Sequence, residues 1–291
     1  MHYDHPERMI RPPGEAHSIL LQITSGCSHN KCTFCGAYKG LRFRIKPEEI
    51  VMADIEWAAR HMADRRRLFL CDGDALIVPQ KRLVRILTAI RDRLPRVNRV
   101  TLYANARSIH LKTPEELAEL RALGVQLAYF GLESGDDVIL KQVKKGADAA
   151  RMIETGRKIR AAGVRLFLTV LTGLGGRERS EIHARETGRV LSAIDPECVG
   201  ALSLMPAPGA PLFEKRGAAA FDLLTPEETL RELREMIART ELSRGLFYAN
   251  HASNYLPLKA RLPAEKEETL QRIDQALQGR IGLRPEALRR F

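Results

Sequence analysis

The feature that most restricts the fold is a repeated alternation. Six short apolar runs, at residues 18–24, 68–71, 99–103, 125–130, 164–171 and 199–204, read as strands buried on both faces. Amphipathic stretches at residues 47–62, 80–94, 114–123, 149–162 and 179–194 separate them and read as helices. Thr113-Pro114 with Glu116 forms a capping box that opens one helix. Gly124 and Gly163 stand where left-handed helix ends are expected. Such a succession implies a parallel sheet with right-handed crossovers, either doubly wound and open or wrapped as a TIM-like barrel.

The strand ends help to choose between these. The runs end in Ser25-Gly26-Cys27, Asp72-Gly73-Asp74, Asn105-Ala106-Arg107, Gly131-Leu132-Glu133-Ser134-Gly135, Thr172-Gly173-Leu174-Gly175-Gly176 and Met205-Pro206-Ala207-Pro208-Gly209. Barrels assemble their sites from the carboxyl ends of many strands, whereas open sheets use only a switch point. Six small or reactive clusters therefore favour a barrel. After residue 211 the alternation stops. A capped helix is expected at 225–240, an irregular polar-aromatic stretch at 245–262 and a charged helix at 264–278. The fold class expected is α/β, an incomplete (β/α)6 TIM-like barrel with a C-terminal helical extension. Residues 1–212 form the barrel, with its core at 18–212, and residues 213–291 pack on it as the extension.

Composition removes several classes. The first 15 residues lack the apolar core of a signal peptide, and no apolar stretch reaches the ~20 residues of a membrane helix. A cytoplasmic protein without membrane contact is expected. The net charge of +11 raises the question of nucleic acid. Of the 47 basic residues 35 are arginine, scattered with no basic run of five, so a solvated arginine-rich surface accounts for them as well as RNA does.

Five cysteines, an odd number, argue against a disulfide framework in a chain of this length. Cys27, Cys32 and Cys35 fall within nine residues, and thiolates so close imply a metal. Structural zinc needs a fourth ligand, with His29 a candidate. An iron–sulfur cluster normally takes four cysteines, so three leave one iron open. The place of the loop, right after the first strand, favours the cluster. Zinc remains the alternative, in a metal-stabilised barrel or binding module without radical chemistry. Cys71 and Cys198 lie in or beside strands and read as core thiols.

This loop resembles the signature of the radical S-adenosylmethionine (radical SAM) superfamily, whose members carry three spaced cysteines after the first strand with an aromatic before the last. Phe34-Cys35 matches the aromatic, while the first gap here is x4 instead of the common x3. Gly131–Gly135 with Lys144-Lys145-Gly146, and the glycine-rich segment 172–176, resemble the branch of oxygen-independent coproporphyrinogen oxidase, methylthiotransferases and the Elongator catalytic subunit. The resemblance covers about residues 18–212.

It implies that Cys27, Cys32 and Cys35 hold a 4Fe–4S cluster whose open iron chelates the amino and carboxylate groups of S-adenosylmethionine. One electron, from a donor such as flavodoxin or ferredoxin, then cleaves the sulfonium. The resulting 5′-deoxyadenosyl radical abstracts hydrogen from substrate, and the chemistry is the cofactor's. Asp72, Gly73 and Asp74 stand where the family has a Gly-Gly-Glu-like stretch that meets the methionine ammonium. Glu133 is suited to ribose hydroxyls or that ammonium, with Ser134 beside it. Gly173 and Gly175 suit close approach of the adenine. Asn105 and Arg107 reach cofactor or substrate, and Phe34 packs beside the adenine or shields the cluster. In the tail, His251 and Tyr255 are the candidate substrate contacts. The substrate expected is a small molecule. A tRNA-modifying activity is the alternative, although no RNA-binding domain follows the barrel.

Overall fold

The computed structural model describes residues 1–214 and 220–290. Residues 215–219 and 291 of the expected extension lie outside the described residues. The chain divides into two compact units, residues 1–30, 37–130 and 157–166 in one, and 31–36, 131–156 and 167–291 in the other.

In the first unit β1 (Ile19–Gln22), β4 (Arg67–Cys71), β5 (Arg99–Ala104) and β6 (Val125–Glu133, the last three residues belonging to the second unit) pair in that order, all parallel. A small antiparallel pair, β2 (Thr24–Ser25) with β3 (Arg44–Ile45), follows β1. The helices between strands are α1 (Glu48–His61), α2 (Gln80–Arg93), the short α3 (Ala106–His110) and α4 (Pro114–Ala122). The β4 residues Leu68, Phe69, Leu70 and Cys71 are fully buried, as a strand covered on both faces requires. Phe69, Tyr103 and Tyr129 meet edge-on or tilted with ring centroids 5.2–6.0 Å apart, a geometry that adds about 0.5–1.5 kcal/mol per pair beyond area burial. Thr113 caps α4 in the expected box with Glu116.

In the second unit β7 (Arg165–Thr172) pairs parallel with β8 (Cys198–Ser203), and β8 pairs parallel with β9 (Gly245–Tyr248). Then β10 (Lys259–Leu262) folds back antiparallel on β9. Its helices are α5 (Asp137–Gln142), α6 (Ala149–Ala161, continuing into the first unit), α7 (Gly176–Ile194), α8 (Pro226–Ala238) and α9 (Lys266–Leu277). Thr225 caps α8 in a second box with Glu228.

The tail corrects one expectation. Residues 245–262 are not irregular: they hold two strands, and β9 continues the parallel order of β8. Gly-Leu-Phe-Tyr is too short to announce a strand, and its polar neighbours Asn250, His251, Ser253 and Asn254 belong to the turn that follows. Helix α7 also begins at Gly176, three residues earlier than the amphipathic pattern suggested. No helix of the described residues is long and apolar enough to cross a membrane.

Candidate functional site

In each unit the parallel register carries strand ends to one edge. In the first unit the ends of β1, β4 and β5 are tied together by side chains. Asn105 caps α3: its Oδ1 accepts the Ser108 amide at 2.9 Å, and that fixes the amide plane. Its Nδ2 is then free to donate to Asp74 Oδ2 at 2.8 Å and Ser28 Oγ at 3.2 Å. Ser28, next to Cys27, donates to the same Asp74 oxygen at 2.5 Å. Asp74 Oδ1 is buried and has no hydrogen-bond partner. Burial outweighs the donors from Ser28 and Asn105 and pushes the Asp74 carboxyl up to about 6.

Asp72 is fully buried and turned inward. Its Oδ2 accepts from the Gly26 amide at 2.9 Å and Gln22 Nε2 at 3.1 Å, with His5 Nε2 at 3.3 Å. The Gly73 amide donates to Gly26 O at 3.1 Å. Asp72 thus fastens the turn that presents Cys27 to the end of β4. Burial raises its pKa in spite of these donors. Its φ of +71°, like the +65° of Glu133, is a left-handed conformation costly for a side-chain residue. Gly73 has no room for a side chain, since a Cβ there would stand 2.7 Å from Cys27 Cβ.

Cys27, Cys32 and Cys35 are partly exposed and form no disulfide. Among the described residues no three His, Cys, Asp or Glu side chains are gathered closely enough to hold a metal ion. The fit to an iron–sulfur cluster therefore rests on the donor set: three soft thiols on one loop, with Cys27 fastened to the strand edge. The fit to an ammonium-bearing ligand rests on the orphaned buried oxygen of Asp74.

In the second unit Glu133 is partly buried and lies 3.1 Å from Lys145 Nζ. Ser134 is fully buried and bonds His183. Phe34 packs on the apolar cluster of Ile139, Val143, Leu171, Leu174 and Leu204. Gly173, at φ +84°, gives its amide to Glu232. A Cβ on Gly175 would stand 2.8 Å from Ile139, so this glycine serves packing inside the unit.

At the carboxyl end of β9, Ser253 Oγ accepts the Ser203 amide at 3.1 Å, and Asn254 bonds Ser203 Oγ and Ala201 O at 2.9 Å each. His251 is half-buried, with Nδ1 2.9 Å from Ser253 Oγ and 3.1 Å from its amide. Burial, then the Arg284 charge, lowers its pKa, so the ring is neutral near pH 7. Tyr255 is buried, and its hydroxyl lies 2.7 Å from Glu286 and 2.5 Å from Arg289. Arg107 is exposed.

Ser28, Gln22, Lys145, His183 and Glu232 join these clusters without being singled out as site residues in the sequence. Ser28 had a usable signal, its place beside Cys27. The others are brought in by contacts across 12 to 59 residues.

A family model described as the radical SAM superfamily matches residues 21–186. A biotin synthase of Neorickettsia sennetsu is 25% identical over 224 residues, covering 76% of this chain and 66% of that protein. A crystal structure of methylornithine synthase superposes with a TM-score of 0.54 at 18% identity, covering 77% of this chain and 63% of that one. Coproporphyrinogen III oxidase from Escherichia coli gives 0.57 at 16% identity, covering 76% and 51%. The chain thus spans less than two thirds of each of these proteins. The structural likenesses show the fold, α/β and of the partial TIM-barrel kind.

Proposed function

This chain belongs to the radical SAM superfamily, and on that premise we propose that it abstracts hydrogen from a small-molecule substrate with the help of a 4Fe–4S cluster and S-adenosylmethionine. Enzymes of this superfamily use both cofactors. When bound, the cluster supplies the electron that cleaves the sulfonium reductively, and a flavodoxin or ferredoxin replaces it. Cys27, Cys32 and Cys35 would be the ligands. The carrying observation is the fastening of Ser28, Asp74 and Asn105, three strand ends in one hydrogen-bonded group beside Cys27.

Asp74 would take the ammonium of the methionine moiety on Oδ1. A cation there favours the ionised carboxyl and repays its burial. Glu133, held by Lys145, would take the ribose hydroxyls. Phe34 and its apolar neighbours would keep water away. His251 would donate to substrate through Nε2: the Ser253 amide points at Nδ1, so the neutral ring carries its proton on the other nitrogen. Asp72 orients the Cys27 turn, and Tyr255 anchors the C-terminal segment, each through the partners described above.

The arginines support a small molecule over RNA. Arg85, Arg93, Arg177, Arg189, Arg234 and Arg239 are each paired with a carboxylate at 3.2 Å or less, so these six are engaged within the chain. The test is anaerobic reconstitution with iron and sulfide, followed by reduction with S-adenosylmethionine present. Four irons and four sulfides per chain with release of 5′-deoxyadenosine are expected. Stoichiometric zinc without sulfide would overturn the reading.

A further inference from the structure

The second unit contains a buried polar cluster that none of these roles uses. His183 on α7 is 0% exposed and Glu232 on α8 is 2% exposed. Glu232 Oε1 accepts the Gly173 amide at 2.6 Å, and Oε2 accepts the Ser180 hydroxyl at 2.5 Å. His183 Nε2 lies 3.1 Å from Leu171 O and 3.6 Å from Glu232 Oε1. Both neighbours are acceptors, so Nε2 carries the proton. In the neutral ring Nδ1 is then an acceptor, with the Ser134 hydroxyl at 2.8 Å and that of Thr187 at 3.3 Å.

Each hydroxyl is engaged a second time. Ser134 Oγ accepts the Asp136 amide at 3.0 Å, and Thr187 Oγ1 accepts the Gly135 amide at 2.9 Å. A Cβ on Gly135 would stand 2.2 Å from Glu186 O, so α7 rests directly on this loop. Two loops are thereby referred to one hub. The loop after β7 is held at Gly173, and the loop after β6 is held at Ser134 and Gly135, next to the left-handed Glu133.

A buried carboxylate is costly, and an apolar residue of similar volume often packs as well. Here both oxygens are satisfied, one by the backbone of a strand-end loop and the other by α7. This is the geometry of a part that sets position.

We propose that Glu232 and His183 are positioning residues that hold the loops after β6 and β7 in the conformation that receives S-adenosylmethionine. Neither touches the cofactor: Glu232 acts through Gly173, and His183 through Ser134 on the backbone of Glu133. The inference rests on the radical SAM reading of these loops and assigns their support to two residues outside them.

The test uses the full chain, reconstituted anaerobically, as wild type, Glu232→Gln, Glu232→Ala and His183→Gln. S-adenosylhomocysteine is titrated by equilibrium dialysis at a temperature where each variant is folded by circular dichroism. Iron and sulfide are counted, and exchange of the Gly173 amide is followed. Cluster content should stay unchanged. Affinity should fall by about tenfold or more in Glu232→Ala and His183→Gln, with faster exchange at Gly173 in Glu232→Ala. In Glu232→Gln the loss should be smaller, because its carbonyl still accepts the Gly173 amide. KM for S-adenosylmethionine should rise more than kcat falls. Unchanged affinity in folded Glu232→Ala overturns the proposal. If that variant does not fold, unchanged affinity in both Glu232→Gln and His183→Gln overturns it instead. A wild-type chain that carries the cluster but binds no S-adenosylhomocysteine overturns the cofactor reading, and this inference falls with it.

Discussion

Gly73 and Cys27 are so close that a Cβ on the glycine would stand 2.7 Å from the cysteine Cβ and 3.1 Å from its Cα. The near atoms are Cys27 Cβ and Cα, and Gly26 before them is held by the Asp72 carboxylate and the Gly73 amide, so no flexible end can move aside. Gly73→Ala must displace the turn at Gly26-Cys27, which Asp72 and the Gly73 amide hold. Overpacking of this kind costs about 1–3 kcal/mol. For a chain of this size that is several degrees in Tm at roughly 2–4 °C per kcal/mol. Iron bound after reconstitution should drop by about half or more, since a displaced Cys27 cannot complete the donor set. A melting curve and an iron assay on one preparation check both parts. Unchanged values would show that the loop yields freely.

Four of the five thiols should fall into two groups. Replacing Cys27, Cys32 or Cys35 with Ala removes a partly exposed thiol of the proposed donor set, and each should abolish sulfide-dependent iron loading while the chain still folds. Cys71 is fully buried, and burial pushes its thiol well above the ordinary range, which suits a core side chain. Cys71→Ala should keep its iron and lose about 1–2 kcal/mol of stability through a small cavity. Iron loss there with normal folding would place Cys71 among the ligands.

What the sequence revealed differs from residue to residue for physical reasons. The cysteine triplet stands out in the sequence because soft donors so close together point to a metal. Asp74 and Asn105 were legible because parallel strands must deliver their carboxyl ends to one edge, so small polar residues after an apolar run announce a site. Asp72 announced its place by the same rule but not its direction. A left-handed φ turns its carboxylate onto Gln22 and Gly26, and nothing in Asp-Gly-Asp specifies that rotation. His183 and Glu232 gave no local signal. Their partners lie 49 and 59 residues away, and a single histidine on an amphipathic helix reads as ordinary core. Strand β9 was hidden by its four-residue length and needed β8 beside it to be seen.

Glu133 should matter for cofactor affinity more than for folding. Its carboxylate is partly buried and bonds Lys145 at 3.1 Å. Glu133→Gln keeps the shape and removes the charge. A hydrogen bond to a charged group contributes about 1.5–3 kcal/mol. Affinity for S-adenosylhomocysteine should therefore fall by roughly 10- to 150-fold, at 1.4 kcal/mol per decade. Dialysis beside a melting curve separates this from instability. A large loss of Tm with unchanged affinity would make the Glu133–Lys145 pair structural.

His251 should titrate below the ordinary 6.5, because burial and the Arg284 charge both disfavour its cation. Removing that charge with Arg284→Gln should move the titration upward, while Gln can still donate one hydrogen bond to the carbonyls of His251, Ala252 and Asn254 that Arg284 now holds. The ring resonance of His251 followed by NMR across pH 4–8 reads both effects. A downward shift in the variant would show that the Arg284 charge is not what holds the titration down.

Glu15 should make stability depend on pH in the acid range. Its buried carboxylate bonds Ser18 at 2.5 Å, Arg99 at 2.7 Å and the Tyr129 hydroxyl at 2.8 Å. Burial alone would raise its pKa, but these three partners prevail and hold it below the ordinary 4.5. A depressed folded value means that the unfolded chain binds the proton more readily. The stabilisation is therefore complete above the unfolded pKa of about 4.5 and is lost as pH falls through the folded value. Glu15→Gln keeps the volume but turns an amide donor toward Arg99. It should cost about 1–3 kcal/mol near neutrality. Urea unfolding of wild type and variant at stepped pH should give a constant gap from pH 7 to about 5, then a gap that narrows as the acid limb is entered. A gap that stayed constant down to pH 2 would show that Glu15 keeps its ordinary pKa in the folded chain.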